Sequence, residues 1–297
     1  KHDWAQYYDK VEDMDNQVGD LLAQLEADGL ADSTIVFYYS DHGGILGRSK
    51  RFLFESGLRI PLIVRVPEMY RHLFDLPPGG KSERLVSFID FAPTVLSLAG
   101  IEIPDHMQGH AFMGEAATGD PDYAFGFRGR MDEVYDLGRT ARDERFRYVR
   151  NFMPHRIYGQ YLSYLWRAPS MQSWDSAFQA GSLNETQSAF FQPKPAEELY
   201  DVQADPHNIE NLAGDPAYAE ALKRMRQATF GWMKRIRDAG LMPEAEMVQR
   251  AGDSSTYAYV HSEAYPFDRI LEAADLATQR DPDQLDALLE HKDDPDA

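Results

Sequence analysis

The segment at residues 34–40 (TIVFYYS) constrains the fold more than any other part of this chain. It is a run of β-branched and aromatic residues without helical spacing, which predicts a buried strand of the kind found in parallel sheets. Asp41, His42, Gly43 and Gly44 follow it directly. Polar residues at the carboxyl end of a buried strand lie where open α/β sheets bind their ligands. We therefore expect a functional site immediately after this strand.

Apolar patterns on either side of the strand predict its neighbours. Before it, apolar residues recur every three or four positions from Trp4 to Leu25, which indicates an amphipathic helix ended by Gly29. After it, Ile60–Val66 is a second apolar, β-rich run, and Phe88–Ala99 has the pattern of a helix. Helix, strand, loop, strand and helix in this order predict an α/β fold class.

A rise in proline and glycine content between Gly100 and Asp122 marks a predicted domain boundary. Beyond it, alternation predicts four short strands followed by one amphipathic helix. The strands are expected at Tyr123–Arg128, Glu133–Arg139, Arg145–Asn151 and Glu198–Val202, and the helix at Asp215–Gly240. We therefore predict an α/β domain at 1–121, an antiparallel subdomain with a packed helix at 122–240, and an acidic, partly helical tail at 241–297. Helical patterns in that tail lie near Phe267–Thr278 and Pro282–His291.

The charge balance excludes several functions. The chain has 30 Lys and Arg against 49 Asp and Glu, a net charge of −19, so phosphate backbones and anionic lipid surfaces would repel it. We expect no nucleic-acid partner. It has no cysteine, which excludes disulfides, thiolate nucleophiles and thiolate metal sites. No apolar run is long enough to predict a membrane span.

The residues after the first strand offer candidate ligands. The adjacent carboxylate of Asp41 and imidazole of His42 could bind a divalent cation, or they could form a polar turn without a ligand. Lys50 could hold an anionic group beside a metal, or could be an ordinary surface lysine. Glu55 and Arg59 are four residues apart, which predicts a local ion pair.

Several motifs in one order resemble the C-terminal half of the sulfatase family, within the alkaline-phosphatase-like superfamily. The strings are YYDKVEDMDNQVGDLLAQLEADGLADSTIVFYYSDHGG, then SK, then ESGLRIPLIVRVP, and later ELYDVQADPHNIENLAGDP. They are distributed along residues 4–240. The resemblance implies the C-terminal part of a mixed sheet flanked by helices, plus a smaller subdomain of antiparallel sheet and helix.

The resemblance also implies roles for individual residues. Asp41 and His42 would be two ligands of a catalytic cation, usually Ca²⁺ in this family, and Lys50 would contact the sulfate. The nucleophile of the family is a formylglycine that arises from a [CS]-x-P-x-R motif, and this chain contains no such string. We therefore expect the formylglycine upstream of this chain, assign no catalytic nucleophile within it, and predict that the chain alone is inactive.

Residues 128–156 contain eight arginines against five acidic residues. This local positive charge could steer an anionic substrate, or the arginines could face solvent on alternate strand positions. The strings RGRMDE and NFMPH resemble segments of bacterial sulfatases related to heparan N-sulfatase. Arg130, Asp132 and His155 are therefore candidate substrate contacts.

The resulting expectation is a fragment of a sulfuric ester hydrolase that acts on a sulfated saccharide or an aryl sulfate. The alternatives are a phosphoester or phosphonoester hydrolase of the same superfamily, and a non-catalytic binding module that retains half the fold. A sheet without its other strands would expose edges and one face, so we expect marginal stability or aggregation. The resemblance favours a periplasmic or extracellular location, and the sequence does not predict an oligomeric state.

Overall fold

The computed structural model describes residues 1–279 together with Asp286 and Leu289. These residues form two compact units. The first unit comprises Lys1–Lys50, Ser56–Ala124 and Ser163–Ala177, and the second comprises Arg51–Glu55, Phe125–Leu162 and the chain from Phe178 onward. The predicted helix at Pro282–His291 lies outside the continuously described residues. The predicted three-part division of the chain stays a prediction.

The described part of the first unit contains a two-stranded sheet. Helices precede its first strand, lie between its two strands and follow its second strand. Its elements are α1 (His2–Ala27), β1 (Val36–Tyr39), α2 (Glu55–Leu58), β2 (Leu62–Arg65), α3 (Phe91–Leu98) and α4 (Pro169–Gln179). The helices α2 and α4 each extend across a boundary between the two units. The predicted first helix, both strands and the helix after them are all present.

Side chains of β1 contact helices on both faces of the strand, which explains its unbroken apolar sequence. The rings of Phe37 and Tyr39 lie 6.3 and 4.8 Å from that of Phe91 in α3. From the opposite face, Tyr38 donates a hydrogen bond of 3.3 Å to the sulfur of Met14 in α1. The expectation of a buried strand of the kind found in parallel sheets is wrong: β1 is half-buried and pairs antiparallel with β2.

The helix α1 presents much of its apolar face to solvent. None of its 26 residues is buried. Trp4, Tyr8 and Leu21 are 50, 65 and 67% exposed, respectively. The helix ends close to the predicted point, since Gly29 follows its last turn with a φ of +69°, a conformation that glycine adopts without a steric penalty.

The second unit contains a four-stranded sheet in the order β3–β4–β5–β6. Its strands are β3 (Ala124–Arg128), β4 (Gly138–Arg142), β5 (Phe146–Asn151) and β6 (Glu197–Asp201). The strands β4 and β5, and likewise β5 and β6, pair antiparallel. The predicted strand at Glu133–Arg139 is misplaced, because Met131 and Val134 form only an isolated bridge and the strand starts at Gly138.

The described part of the second unit also contains the helices α5 (Glu185–Ser188), α6 (Ala219–Ile236), α7 (Glu244–Ala251), α8 (Thr256–Val260) and α9 (Phe267–Leu276). The helix α6 ends before the predicted Gly240, since Arg237 adopts the left-handed conformation with a φ of +53°. Met233 of α6 belongs to a buried cluster with Tyr265 and Phe267. The α/β class with an antiparallel subdomain is thus confirmed.

Candidate functional site

The turn after β1 places Asp41 and His42 at the end of the strand. The Ser40 hydroxyl donates a 2.8 Å hydrogen bond to the carbonyl oxygen of His42, and the Gly43 amide donates a 3.0 Å bond to the carbonyl oxygen of Gly57. A Cβ atom on Gly43 would lie 1.8 Å from the carbonyl oxygen of Ser56. Only glycine therefore fits at this position.

The structure brings Asp41, His42 and Lys50 together. The Lys50 ammonium donates a 2.6 Å hydrogen bond to Oδ2 of Asp41, and Nδ1 of His42 lies 3.5 Å from the same oxygen. The hydrogen bond from Lys50 is the main cause that lowers the pKa of the Asp41 carboxyl. The Asp41 side chain is 71% exposed and those of His42 and Lys50 are 38% and 31% exposed. The three side chains therefore form an open site at the end of β1, within which Nδ1 of His42 itself is buried.

His42 and Asp41 fit a divalent cation as a pair of donors. Nδ1 of His42 is buried and forms no hydrogen bond of good geometry among the described residues, whereas such a buried atom is normally paired. Its 3.5 Å separation from Oδ2 of Asp41 is short enough for both atoms to coordinate one ion with bonds of about 2–2.5 Å. The described residues contain no group of three or more His, Cys, Asp or Glu side chains that could hold a metal. The pair could therefore supply only part of a coordination sphere.

The other candidate residues lie in the second unit. The guanidinium Nε of Arg130 donates to Glu244 at 2.9 and 3.0 Å, and its Nη1 donates to the carbonyl oxygen of Asp132 at 3.3 Å. Asp132 has a φ of +50° and a carboxylate 3.9 Å from Nη2 of Arg51. His155 is exposed. Arg130 and Asp132 are therefore neighbours within a network of ion pairs, and their role in substrate binding stays a prediction.

Half of the arginines between 128 and 156 are buried in ion pairs, which neither sequence interpretation anticipated. Arg128, Arg139, Arg147 and Arg150 are at most 8% exposed. Each contacts a carboxylate: Asp136, Asp238, Glu55 and Asp275, respectively. These four side chains are buried, so they neither face solvent nor lie where they could steer a substrate.

The predicted pairing of Glu55 with Arg59 is wrong. Oε1 of Glu55 accepts a 2.8 Å hydrogen bond from Nε of Arg147, which lies 92 positions further along the chain, while Arg59 is exposed. Lys194 and Asp136 form a second buried pair that the sequence did not indicate. Both pairs join residues that are distant in sequence, so no local spacing could have revealed them.

The site at the end of β1 lies in the part of the chain that matches a known family. The family model described as Sulfatase matches residues 2–101. Residues 2–101 belong to the sulfatase family. The resemblance predicted from the sequence is confirmed, and this match includes Asp41, His42 and Lys50.

Curated relatives extend the similarity beyond that segment. An "Ulvan-active sulfatase" of Formosa agariphila is 39% identical over 89% of this chain, and the match covers 43% of the relative. The human N-sulphoglucosamine sulphohydrolase is 27% identical over 80% of this chain and 48% of its own length. The chain therefore spans less than half the length of these sulfatases.

A solved structure supports the fold. It is described as a protein in complex with its substrate, D-glucosamine-2-N,6-O-disulfate, and is similar with a TM-score of 0.55 and 24% identity. The similarity covers 77% of this chain and 40% of that one. Within the described residues, no helix has the length and hydropathy needed to cross a membrane.

Proposed function

We propose that this chain supplies the cation-binding and sulfate-binding part of a sulfatase active site. The single observation that carries the proposal is the cluster of Asp41, His42 and Lys50 within a sulfatase-family segment. A divalent cation stabilises negative charge on sulfuryl oxygens and on a leaving oxygen when it is bound. The lysine ammonium adds a second, protein-borne positive charge at the same place.

Each residue has a separate task in this proposal. Asp41 and His42 would hold the cation through Oδ2 and Nδ1. Lys50 would bind a sulfate oxygen and orient the sulfur for attack. We propose Ca²⁺ as the cation, although an imidazole ligand also suits transition metals, so metal titrations decide its identity. The chain has no cysteine and no S-x-P-x-R string, so we place the formylglycine nucleophile outside these 297 residues.

We propose a sulfated saccharide as the substrate class. Support comes from a human relative named for N-sulphoglucosamine and from a structural neighbour bound to a disulfated glucosamine. Arg130, Asp132 and His155 are the residues of the second unit that we propose for saccharide contacts. An exported enzyme, periplasmic or extracellular, fits this proposal, and fractionation of the native cells with an antibody to the chain tests the location.

Binding of calcium and radiolabelled sulfate to the 297-residue chain tests the proposed roles of Asp41, His42 and Lys50. We expect Asp41→Asn to weaken calcium binding and Lys50→Met to weaken sulfate binding. The matched control is Lys10→Met, because Lys10 forms a similar ion pair of 2.7 Å with Asp13 on the exposed surface of α1. If the wild type, Lys50→Met and Lys10→Met all bind sulfate with equal affinity, the proposal is wrong.

Activity of the protein expressed from the complete coding frame tests the reaction. We expect hydrolysis of an aryl sulfate and of a sulfated glucosamine, and its loss in Asp41→Asn and His42→Ala. Hydrolysis of a phosphate monoester far above that of the sulfates would instead indicate a phosphohydrolase of the same superfamily. Intact cation binding without either activity would indicate a non-catalytic module.

A further inference from the structure

The segment from Gly44 to Lys50, which we call the Lys50 loop, folds back on itself. The backbone amide of Lys50 donates a 3.0 Å hydrogen bond to the carbonyl oxygen of Gly44, and the Ser49 amide donates one of 3.2 Å to that of Leu46. The Leu46 side chain is buried. The position of the Lys50 backbone is therefore tied to that of Gly44.

Two aromatic side chains contact the loop at its glycines. A Cβ atom on Gly44 would lie 3.0 Å from the hydroxyl oxygen of Tyr7, which belongs to α1. A Cβ atom on Gly47 would lie 3.0 Å from Cζ3 of Trp174, which belongs to α4. Both distances are shorter than ordinary carbon contacts of about 3.5–4.0 Å, so each ring lies directly against the backbone.

The helices that carry these rings are joined to each other. Oδ2 of Asp3 in α1 accepts a 2.6 Å hydrogen bond from the backbone amide of Ser170 in α4. Met171 of α4 is only 1% exposed, and its sulfur would lie 3.7 Å from a Cβ atom on Gly47. The two rings therefore belong to one packed part of the first unit.

The loop adopts an uncommon backbone conformation beside these contacts. Arg48 has a φ of +65°, which non-glycine residues rarely adopt, and its carbonyl oxygen accepts a 2.6 Å hydrogen bond from the Ser56 hydroxyl. Such conformations are strained and persist only where surrounding structure enforces them. Tyr7 and Trp174 are part of that surrounding structure.

We propose that Tyr7 and Trp174 are positioning residues that hold the Lys50 loop, and through it the Lys50 ammonium, for sulfate binding. The inference rests on the proposed function of Lys50 as the sulfate contact. Lysine has a long, flexible side chain, so a defined place for its ammonium requires a defined backbone beneath it. Tyr7 and Trp174 supply this constraint from positions 43 before and 124 after Lys50 in the sequence.

A double-mutant cycle between Gly47 and Trp174 tests the contact directly. Gly47 does not have a positive φ, so an alanine there is crowded by the Trp174 ring and is not disfavoured by the backbone conformation. We expect Gly47→Ala to weaken sulfate binding by about fivefold or more, and Trp174→Ala to weaken it to a similar extent. Because the ring is absent in the double variant, adding Gly47→Ala to Trp174→Ala is expected to have no further effect.

Measuring calcium affinity beside sulfate affinity distinguishes a displaced Lys50 loop from general unfolding of the unit. Asp41 and His42 precede the loop, so calcium affinity should not fall in Gly47→Ala while sulfate affinity does. The matched control is Gly19→Ala in α1, where a Cβ atom would meet nothing within 4 Å. This variant should bind sulfate as the wild type does, and Trp174→Phe should restore part of the affinity lost in Trp174→Ala.

The outcomes distinguish this inference from the proposed function. If wild type and Lys50→Met bind sulfate equally, the proposed function itself fails. If Lys50 is required for sulfate but the effects of Gly47→Ala and Trp174→Ala simply add, Trp174 does not position the loop. A parallel loss of calcium and sulfate binding in Gly47→Ala would likewise overturn the inference, since it would show general disruption of the unit.

Discussion

Replacing Glu55 by glutamine tests how much one buried ion pair stabilises the second unit. Glu55 and Arg147 are each only 4% exposed, and Oε1 of Glu55 accepts two hydrogen bonds from the Arg147 guanidinium. Nε of Arg142 lies 3.6 Å from the same oxygen. Glutamine retains the size of the side chain but leaves two neighbouring arginines without their counter-charge.

The expected loss follows from desolvation. Burial lowers the pKa of Arg147 because desolvation disfavours its charged form, and the carboxylate of Glu55 offsets that cost. Removing one partner of a buried pair costs about 3–5 kcal/mol. Typical domains have a free energy of unfolding of about 5–15 kcal/mol, so this loss is a large fraction of the total.

Urea unfolding of the purified variants measures the effect. At an m value of about 2 kcal/mol/M, the midpoint should fall by about 1.5–2.5 M. The control is Asp268→Asn, which removes an exposed pair with Lys234 in the same unit and should cost less than about 1 kcal/mol. The double variant Glu55→Gln with Arg147→Met should be more stable than Glu55→Gln alone. Equal midpoints for Glu55→Gln and Asp268→Asn would refute the reasoning.

Three further results are expected from the first unit. Lys50→Met should raise the pKa of Asp41 towards its ordinary value, so that the carboxylate becomes protonated at a higher pH than in the wild type. An NMR titration of the Asp41 carboxyl carbon measures this pKa. An unchanged pKa would contradict the 2.6 Å hydrogen bond between Lys50 and Asp41. Gly43→Ala should disrupt the turn after β1, because its Cβ atom would overlap a carbonyl oxygen, and hydrogen exchange of the Gly43 amide region should then accelerate. The exposed apolar face of α1 should cause self-association that increases with protein concentration in sedimentation velocity. Leu21→Glu should reduce this self-association. Equal self-association of the wild type and Leu21→Glu would show that another surface is responsible.

The local order of elements could be predicted from the sequence because it depends on short-range periodicity. The helix from Trp4 to Leu25, the strand after it and the glycine that follows the helix were all visible as residue patterns. The strand at Glu133–Arg139 was misplaced, since short alternating runs in a polar segment do not define where pairing begins. The expected parallel pairing of β1 was also wrong, because an apolar run indicates burial on two faces but does not identify the partner strand.

Some features of the candidate site could likewise be predicted from the sequence, and others could not. The sequence by itself determined that Asp41 and His42 follow a strand, and motif order pointed to Lys50 as their companion. Only the tertiary structure decided that Lys50 contacts Asp41, that Nδ1 of His42 is buried 3.5 Å from the same carboxylate, and that Trp174 lies against Gly47. The physical reason is that local patterns record backbone preference and burial, whereas contacts between distant segments depend on packing of the whole unit.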